Sequence, residues 1–149
     1  MTNLLDNLAP CSLLCYSCTG CNHGVIKELS EKLLHYLDGY DFLVEQNKWR
    51  DLQLIRDCMR TLDFWSKQSC PGCRHEDHQC HYENCFIRNC TRSKGHDFCA
   101  ECDDFPCEKV REHDSWLIAS TRIREVGAAI YFCEEKYRSQ YSRFKKGNV

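Results

Sequence analysis

Eight cysteines within thirty-eight residues leave a chain few ways to fold. They lie between Cys70 and Cys107, in the run CPGCRHEDHQCHYENCFIRNCTRSKGHDFCAECDDFPC, with His75, His78, His81 and His96 interleaved. Cys70/Cys73 and Cys99/Cys102 are C-x-x-C pairs, and Cys80, Cys85, Cys90 and Cys107 stand between and after them. A C-x-x-C loop aims two thiolates at one centre with little backbone strain, the usual half of a tetrahedral metal site. Four more, Cys11, Cys15, Cys18 and Cys21, follow the spacing C-x3-C-x2-C-x2-C, close enough to reach a single ion or cluster. The other two of the fourteen, Cys58 and Cys133, fall in helical patterns and read as buried core thiols.

Cysteine at this density has two common explanations, a secreted disulfide scaffold or a metal protein. The opening residues MTNLLDNLAP have no basic n-region, no apolar run of signal length and no cleavage pattern. No run of about 18 apolar residues offers a membrane helix. The expectation is a cytoplasmic chain, not bound to membrane, whose reduced thiols bind metal. The donors point to zinc, two or three ions held by Cys11, Cys15, Cys18, Cys21, Cys70, Cys73, Cys80, Cys85, Cys90, Cys99, Cys102 and Cys107. A [4Fe–4S] cluster is the alternative. The simplest partition along the chain is Cys11/15/18/21, Cys70/73/80/85 and Cys90/99/102/107. Whether His23, His75, His78, His81 or His96 replaces any of these is left open.

The formal charge is −2 with every cysteine neutral. Twelve ionised thiols around three zinc ions add −12 and +6, moving it from −2 to −8. Nucleic-acid binding needs a basic footprint, so nucleic acid is not an expected partner. A protein partner and the oligomeric state stay open. Arg74, Arg88, Arg92 and Lys94 lie among the candidate ligands, where they either offset thiolate charge or form a solvated rim.

A length of 149 residues suits one domain, 1–149. Its parts are a cysteine knot at 11–21, a helical segment at 25–67, the metal-binding centre at 70–107 and a second helical segment at 108–149. From Val25 to Leu37, Val25, Leu29, Leu33, Tyr36 and Leu37 fall on one helical face, with Gly39 as the stop and His35 solvated. A second helical stretch covers about Asp41 to Lys67, with Trp49, Leu52, Ile55, Met59 and Leu62 as its stripe and Phe64 and Trp65 closing it. One helical turn is expected near Cys85–Arg92, ended by Lys94-Gly95. The run from Asp103 to Pro106 signals a helix start with an Asp cap, placing Cys107 at a helix N-terminus. Ile123, Val126, Ile130, Cys133, Tyr137, Tyr141 and Phe144 then step along a helix of about six turns. Residues 97–114 carry seven acids and two bases, and 122–146 seven bases and three acids, which suggests internal docking or a basic surface for a partner. The fold expected is a small irregular α domain with a loop-dominated metal-binding centre and little or no sheet.

With these residues in view, the chain resembles a bacterial and archaeal family known as domain of unknown function 3795. The resemblance rests on C-x3-C-x2-C, Cys70-Pro71-Gly72-Cys73, the run Cys85 to Cys90, Lys94-Gly95 and the closing Cys99-Ala100-Glu101-Cys102-Asp103-Asp104-Phe105-Pro106-Cys107. It extends over about residues 11–130, taking in TRIREVG around Arg122 to Gly127. Cys21 and Cys80 depart from the family pattern. The resemblance implies a metal-binding module and brings no activity, substrate or catalytic residue.

Chemistry beyond ligation finds little support in the sequence. No H-E-x-x-H and no H-x-E…P-C-x-x-C pattern is present. The histidines of His75-Glu76-Asp77-His78 are three apart and read as ligands or solvated loop. C-x3-C-x2-C also matches the iron–sulfur loop of radical S-adenosylmethionine enzymes, but the strand–helix alternation of their barrel is absent. The expected role is a non-catalytic binding or scaffold module, with an iron–sulfur redox or electron-transfer protein as the alternative.

Overall fold

The computed structural model describes residues 3–47, 51–80 and 82–144. Its elements are α1 (Leu4–Asn7), α2 (Val25–Tyr36), α3 (Tyr40–Asn47), α4 (Leu52–Ser66), α5 (Phe86–Lys94), α6 (Glu108–Arg111), α7 (Asp114–Val126) and α8 (Ala128–Glu135). Short 3-10 turns occupy Cys99–Glu101 and Gln140–Phe144. Among the described residues strand pairing is confined to two isolated bridges, Leu8 with Leu14 and Cys21 with Cys70. The expected small, mainly α domain is what forms. No helix among the described residues is long and apolar enough to cross a membrane.

Helix α2 packs on α4, but not through the face read from its leucines. Leu29, Leu33 and Tyr36 are 50%, 47% and 81% exposed. The neighbouring line Ile26, Ser30 and Leu34 is the one turned inward. Both lines carry apolar residues, and the tertiary partner, not local composition, chooses between them. Ser30 tolerates full burial because its hydroxyl donates to the Ile26 carbonyl at 2.7 Å.

The expected stretch from 41 to 67 divides into α3 and α4. Asp51 caps α4, its Oδ1 accepting from Leu54 N at 3.0 Å. Leu52, Ile55, Met59 and Leu62 form the inner stripe as expected. Phe64 is exposed, and so is Cys58, so the buried thiol expected there is corrected: position 58 lies off that stripe. Trp49 and His81 lie outside the described residues.

Around the cysteines, α5 ends on a left-handed Gly95 with His96 N donating to Thr91 O and Gly95 N to Arg92 O, the double closure of a Schellman motif. The helix start expected at Asp103 falls later and is shorter. Cys107, not an aspartate, occupies the N-cap of α6, and the Phe105–Pro106 peptide bond just before it is cis.

The C-terminal helix expected to run unbroken is interrupted. Gly127 adopts φ 83° and ψ 155°, ending α7 and starting α8. The break resets the helical phase. Ile123 remains buried, but Ile130, Cys133 and Tyr137, next along the expected stripe, are exposed, and Tyr131 is buried instead. Cys133 is therefore not a core thiol.

Two apolar clusters form the core. Leu8, Leu14, Phe98, Ala100, Ala119, Ile123 and Tyr131 make one. Ala9, Cys11, Cys15, Cys21, Ile87 and Trp116 make the other. Both draw on residues 8–21, so an irregular loop lies at the centre of the molecule. Buried loop backbone must find partners outside regular structure, and side chains from the far end of the chain supply several. Gln140 Oε1 accepts from Leu14 N at 2.9 Å, Tyr131 Oη donates to Ser12 O at 3.0 Å, and Thr19 N donates to Tyr141 Oη at 2.8 Å. Ser12 and Ser120 hydroxyls meet at 2.9 Å, and Cys99 N donates to Pro10 O at 3.0 Å.

Candidate functional site

Each of the twelve candidate ligands falls in one of three thiol neighbourhoods, and the N-terminal knot divides between two of them. In the first, Cys73 hydrogen-bonds to both Cys15 and Cys80, and Cys11 feels the charges of Cys15, Cys80 and Cys85. In the second, Cys18 and Cys21 feel Cys70. Backbone pairing holds them there: Cys70 N donates to Gly20 O at 3.1 Å and Asn22 N to Cys70 O at 2.9 Å. In the third, Cys99 sits with Cys90, Cys102 and Cys107. The last grouping is the one expected from chain order. The first two are interleaved, because the loop carrying Cys11–Cys21 and the stretch carrying Cys70–Cys85 lie against each other.

Gly24 shapes that contact. A Cβ there would stand 2.9 Å from Tyr16 O, 3.1 Å from Cys21 Cβ and 3.2 Å from Cys15 O, so only glycine lets the chain fold back between the two thiols. Val25 N then donates to Tyr16 O at 2.7 Å, joining the loop to the start of α2.

The electrostatics of the thiols are uneven. The hydrogen bond from Cys73 lowers Cys80 to about 5 and Cys15 to about 7, with Arg88 and Arg74 adding to the effect at Cys80 and Cys15 respectively. Cys73, which lies between them, is held strongly protonated, and its single S–H can serve only one of the two at a time. Burial pushes Cys11 up to about 12 and Cys21 and Cys99 up to about 11, and raises Cys18.

Three of the four cations among the ligands take specific posts. Lys94 Nζ donates to Cys102 Sγ at 3.1 Å and to Asp104 at 2.7 Å. Arg88, buried, contacts His78 Nδ1 at 3.3 Å and donates to the carbonyls of Tyr82 and Glu83, fixing the loop after Cys80. Arg74 donates to Leu5 O at 3.0 Å and lies over the Phe98 ring, while its Nη2 is buried with no hydrogen-bond partner among the described residues. Arg92 instead donates to the Arg74 carbonyl. Arg124 docks on the acidic segment as one expectation had it, donating to Phe105 O at 3.0 Å, whereas Arg122 pairs within its own segment with Glu134 and Glu125.

Of the candidate histidines, His75 is exposed, and His96 is half-buried with its backbone closing α5. His23 lies against Cys21, its two ring nitrogens 3.5 and 3.6 Å from Sγ. Tyr141 and Gln79 were not legible as site residues: the Tyr141 hydroxyl reaches Cys18, and Gln79 N donates to Cys70 Sγ at 3.2 Å. A lone tyrosine 120 residues away carries no spacing signal.

The donor chemistry fits a thiolate-binding metal: soft sulfur and cysteines that are all free. Among the described residues, no three or more His, Cys, Asp or Glu side chains are gathered as a ready-made ligand set. Closing a shell around an ion therefore involves side-chain reorientation within each neighbourhood.

Comparison with known proteins returns one family. The family described as "Protein of unknown function (DUF3795)" matches residues 7–112. The match takes in all three thiol neighbourhoods and ends before α7, so the TRIREVG segment lies beyond it. Among curated proteins and among solved structures, none matches the chain.

Proposed function

The chain belongs to the DUF3795 family, and we propose that it is a zinc-binding module whose ions clasp the N-terminal loop to the central stretch. The observation that carries this reading is the interleaving itself. Cys15 from the loop bonds to Cys73 from the centre, 58 residues away, and Cys18 and Cys21 gather around Cys70. Cysteines retained for packing alone have no need to seek one another across the chain. Cys11, Cys15, Cys73, Cys80 and Cys85 supply one site, Cys18, Cys21 and Cys70 a second, and Cys90, Cys99, Cys102 and Cys107 a third. When bound, zinc supplies a closed tetrahedral cross-link and no redox chemistry. Arg74, Arg88 and Lys94 offset the negative charge that thiolate ligation leaves behind.

This reading makes the protein a non-catalytic binding or scaffold module working in a reducing compartment such as the cytoplasm, where free thiols persist. Elemental analysis after purification under reducing, chelator-free conditions tests it. Two or three equivalents of zinc per chain are expected, and less than one equivalent of any metal rejects it. A [4Fe–4S] cluster is the second reading, since the first neighbourhood supplies the four thiolates such a cluster needs as well as it supplies those of zinc. Absorbance above about 350 nm in anaerobically purified protein separates the two, since zinc thiolates are colourless there.

A further inference from the structure

The second neighbourhood holds three thiols, and a closed zinc site takes four ligands. Cys15 is within the electrostatic reach of Cys18 and Cys21, but its sulfur is hydrogen-bonded to Cys73 in the first neighbourhood, which already has thiols to spare. The side chain that lies against Cys21 of this trio is His23. Its ring nitrogens stand 3.5 and 3.6 Å from Cys21 Sγ, Nε2 is 3.1 Å from the Asp6 carbonyl oxygen, and Nδ1 is 2.7 Å from Asn22 Oδ1. A carbonyl oxygen only accepts, so the Asp6 contact places the ring proton on Nε2. The Asn22 side chain, unlike the Asp6 backbone carbonyl, can rotate away from Nδ1. Nδ1 is then the nitrogen with the free lone pair, on a ring fixed by a backbone carbonyl. That is the arrangement by which protein backbones orient metal-ligating imidazoles.

We propose that His23 completes a Cys3His site with Cys18, Cys21 and Cys70, ligating through Nδ1 while Nε2–H stays on the Asp6 carbonyl. The proposal rests on the zinc reading above and deepens it by naming the fourth donor. Asp6 belongs to the short helix α1, so the site ties a third segment to the loop and the centre. Cys15 then stays with Cys11, Cys73, Cys80 and Cys85, one thiol more than a single zinc takes, and the third site keeps its four thiols.

Cadmium-113 NMR of the full chain reconstituted with cadmium alone tests this. One of the cadmium resonances should show scalar coupling to the His23 ring protons. His23→Cys should retain the metal stoichiometry and move that resonance alone toward the position of the all-thiolate sites. His23→Ala should lose one equivalent or bind it at least tenfold more weakly. If His23→Ala fails to fold, the coupling in the unaltered protein and the His23→Cys shift still decide the matter. Cadmium bound with no coupling and with every resonance unmoved by His23→Cys overturns the histidine ligand and leaves the metal reading standing. No bound cadmium or zinc in the unaltered chain overturns the metal reading itself.

Discussion

At the level of single residues, Gly24 and the exposed cysteines give opposite lessons about what a side chain is for. Gly24 is the N-cap of α2, a position that already favours glycine over alanine, and a Cβ there would also press on Tyr16 O and Cys21 Cβ. Gly24→Ala is expected to destabilise the protein by about 1–3 kcal/mol, the usual cost of overpacking, as read by denaturant unfolding at constant metal. Cys58 and Cys133 are exposed and lie in none of the three thiol neighbourhoods; Cys90 is also exposed but lies beside Cys99. Exposure alone predicts that iodoacetamide labels all three. Metal ligation predicts that Cys58 and Cys133 are labelled and Cys90 is spared until a chelator is added, a distinction peptide mass spectrometry reads directly. Spacing separated the clustered cysteines from Cys58 and Cys133, but it did not foresee that Cys70 and Cys73, a C-x-x-C pair, fall in different neighbourhoods. It misjudged Cys58 and Cys133 because burial depends on which helical line meets a partner. It had no access to Tyr141 or Gln79, whose roles arise only from contact.

Among the elements, the junction of α7 and α8 departs furthest from the periodic pattern. The apolar steps from Ile123 to Tyr141 fit one helix, but the backbone of Gly127 interrupts them and α8 ends at Glu135, before Tyr141. Gly127→Ala removes a helix-weakening residue in sequence terms. In the fold it forces a side chain into a conformation that costs about 1–3 kcal/mol. The variant is expected to be destabilised by that amount, measured as a shift in the unfolding midpoint. Arg122 donates to Glu134 across the same junction and holds its carboxyl below the usual range, chiefly through the hydrogen bond. A carboxylate lowered in the folded state adds stability above its unfolded pKa and loses it as pH falls through the folded value. Both groups are exposed, so the effect is small. Carbon-detected NMR should find Glu134 titrating at lower pH than in Arg122→Gln, where it should return upward to the ordinary glutamate range.

For the molecule as a whole, the division expected from sequence, a metal centre between two helical flanks, understates the role of residues 8–24. The helical character was legible because periodicity is local, whereas the breaks that shorten the helices and the central placement of this loop depend on backbone detail and on partners more than 100 residues away. Chelation is therefore expected to expose the loop together with residues 70–107 and to loosen α7 and α8, which pack on Leu8 and Leu14. The α2–α4 pair, whose main contacts are with each other and α3, should keep the most protection. Hydrogen-exchange mass spectrometry of zinc-loaded and chelated protein checks this; equal protection of residues 8–24 in both states would show that metal does not hold the loop. The bonds from Leu14 to Gln140 and from Thr19 to Tyr141 span 126 and 122 residues. During synthesis the loop emerges first and its last partners much later, a wait of roughly 6–25 s at ordinary elongation rates of about 5–20 residues per second. Throughout that interval four closely spaced thiols of a nascent chain lack the far-end residues that enclose them, and the reducing capacity of the surroundings must keep them from pairing with one another before the rest of the protein arrives.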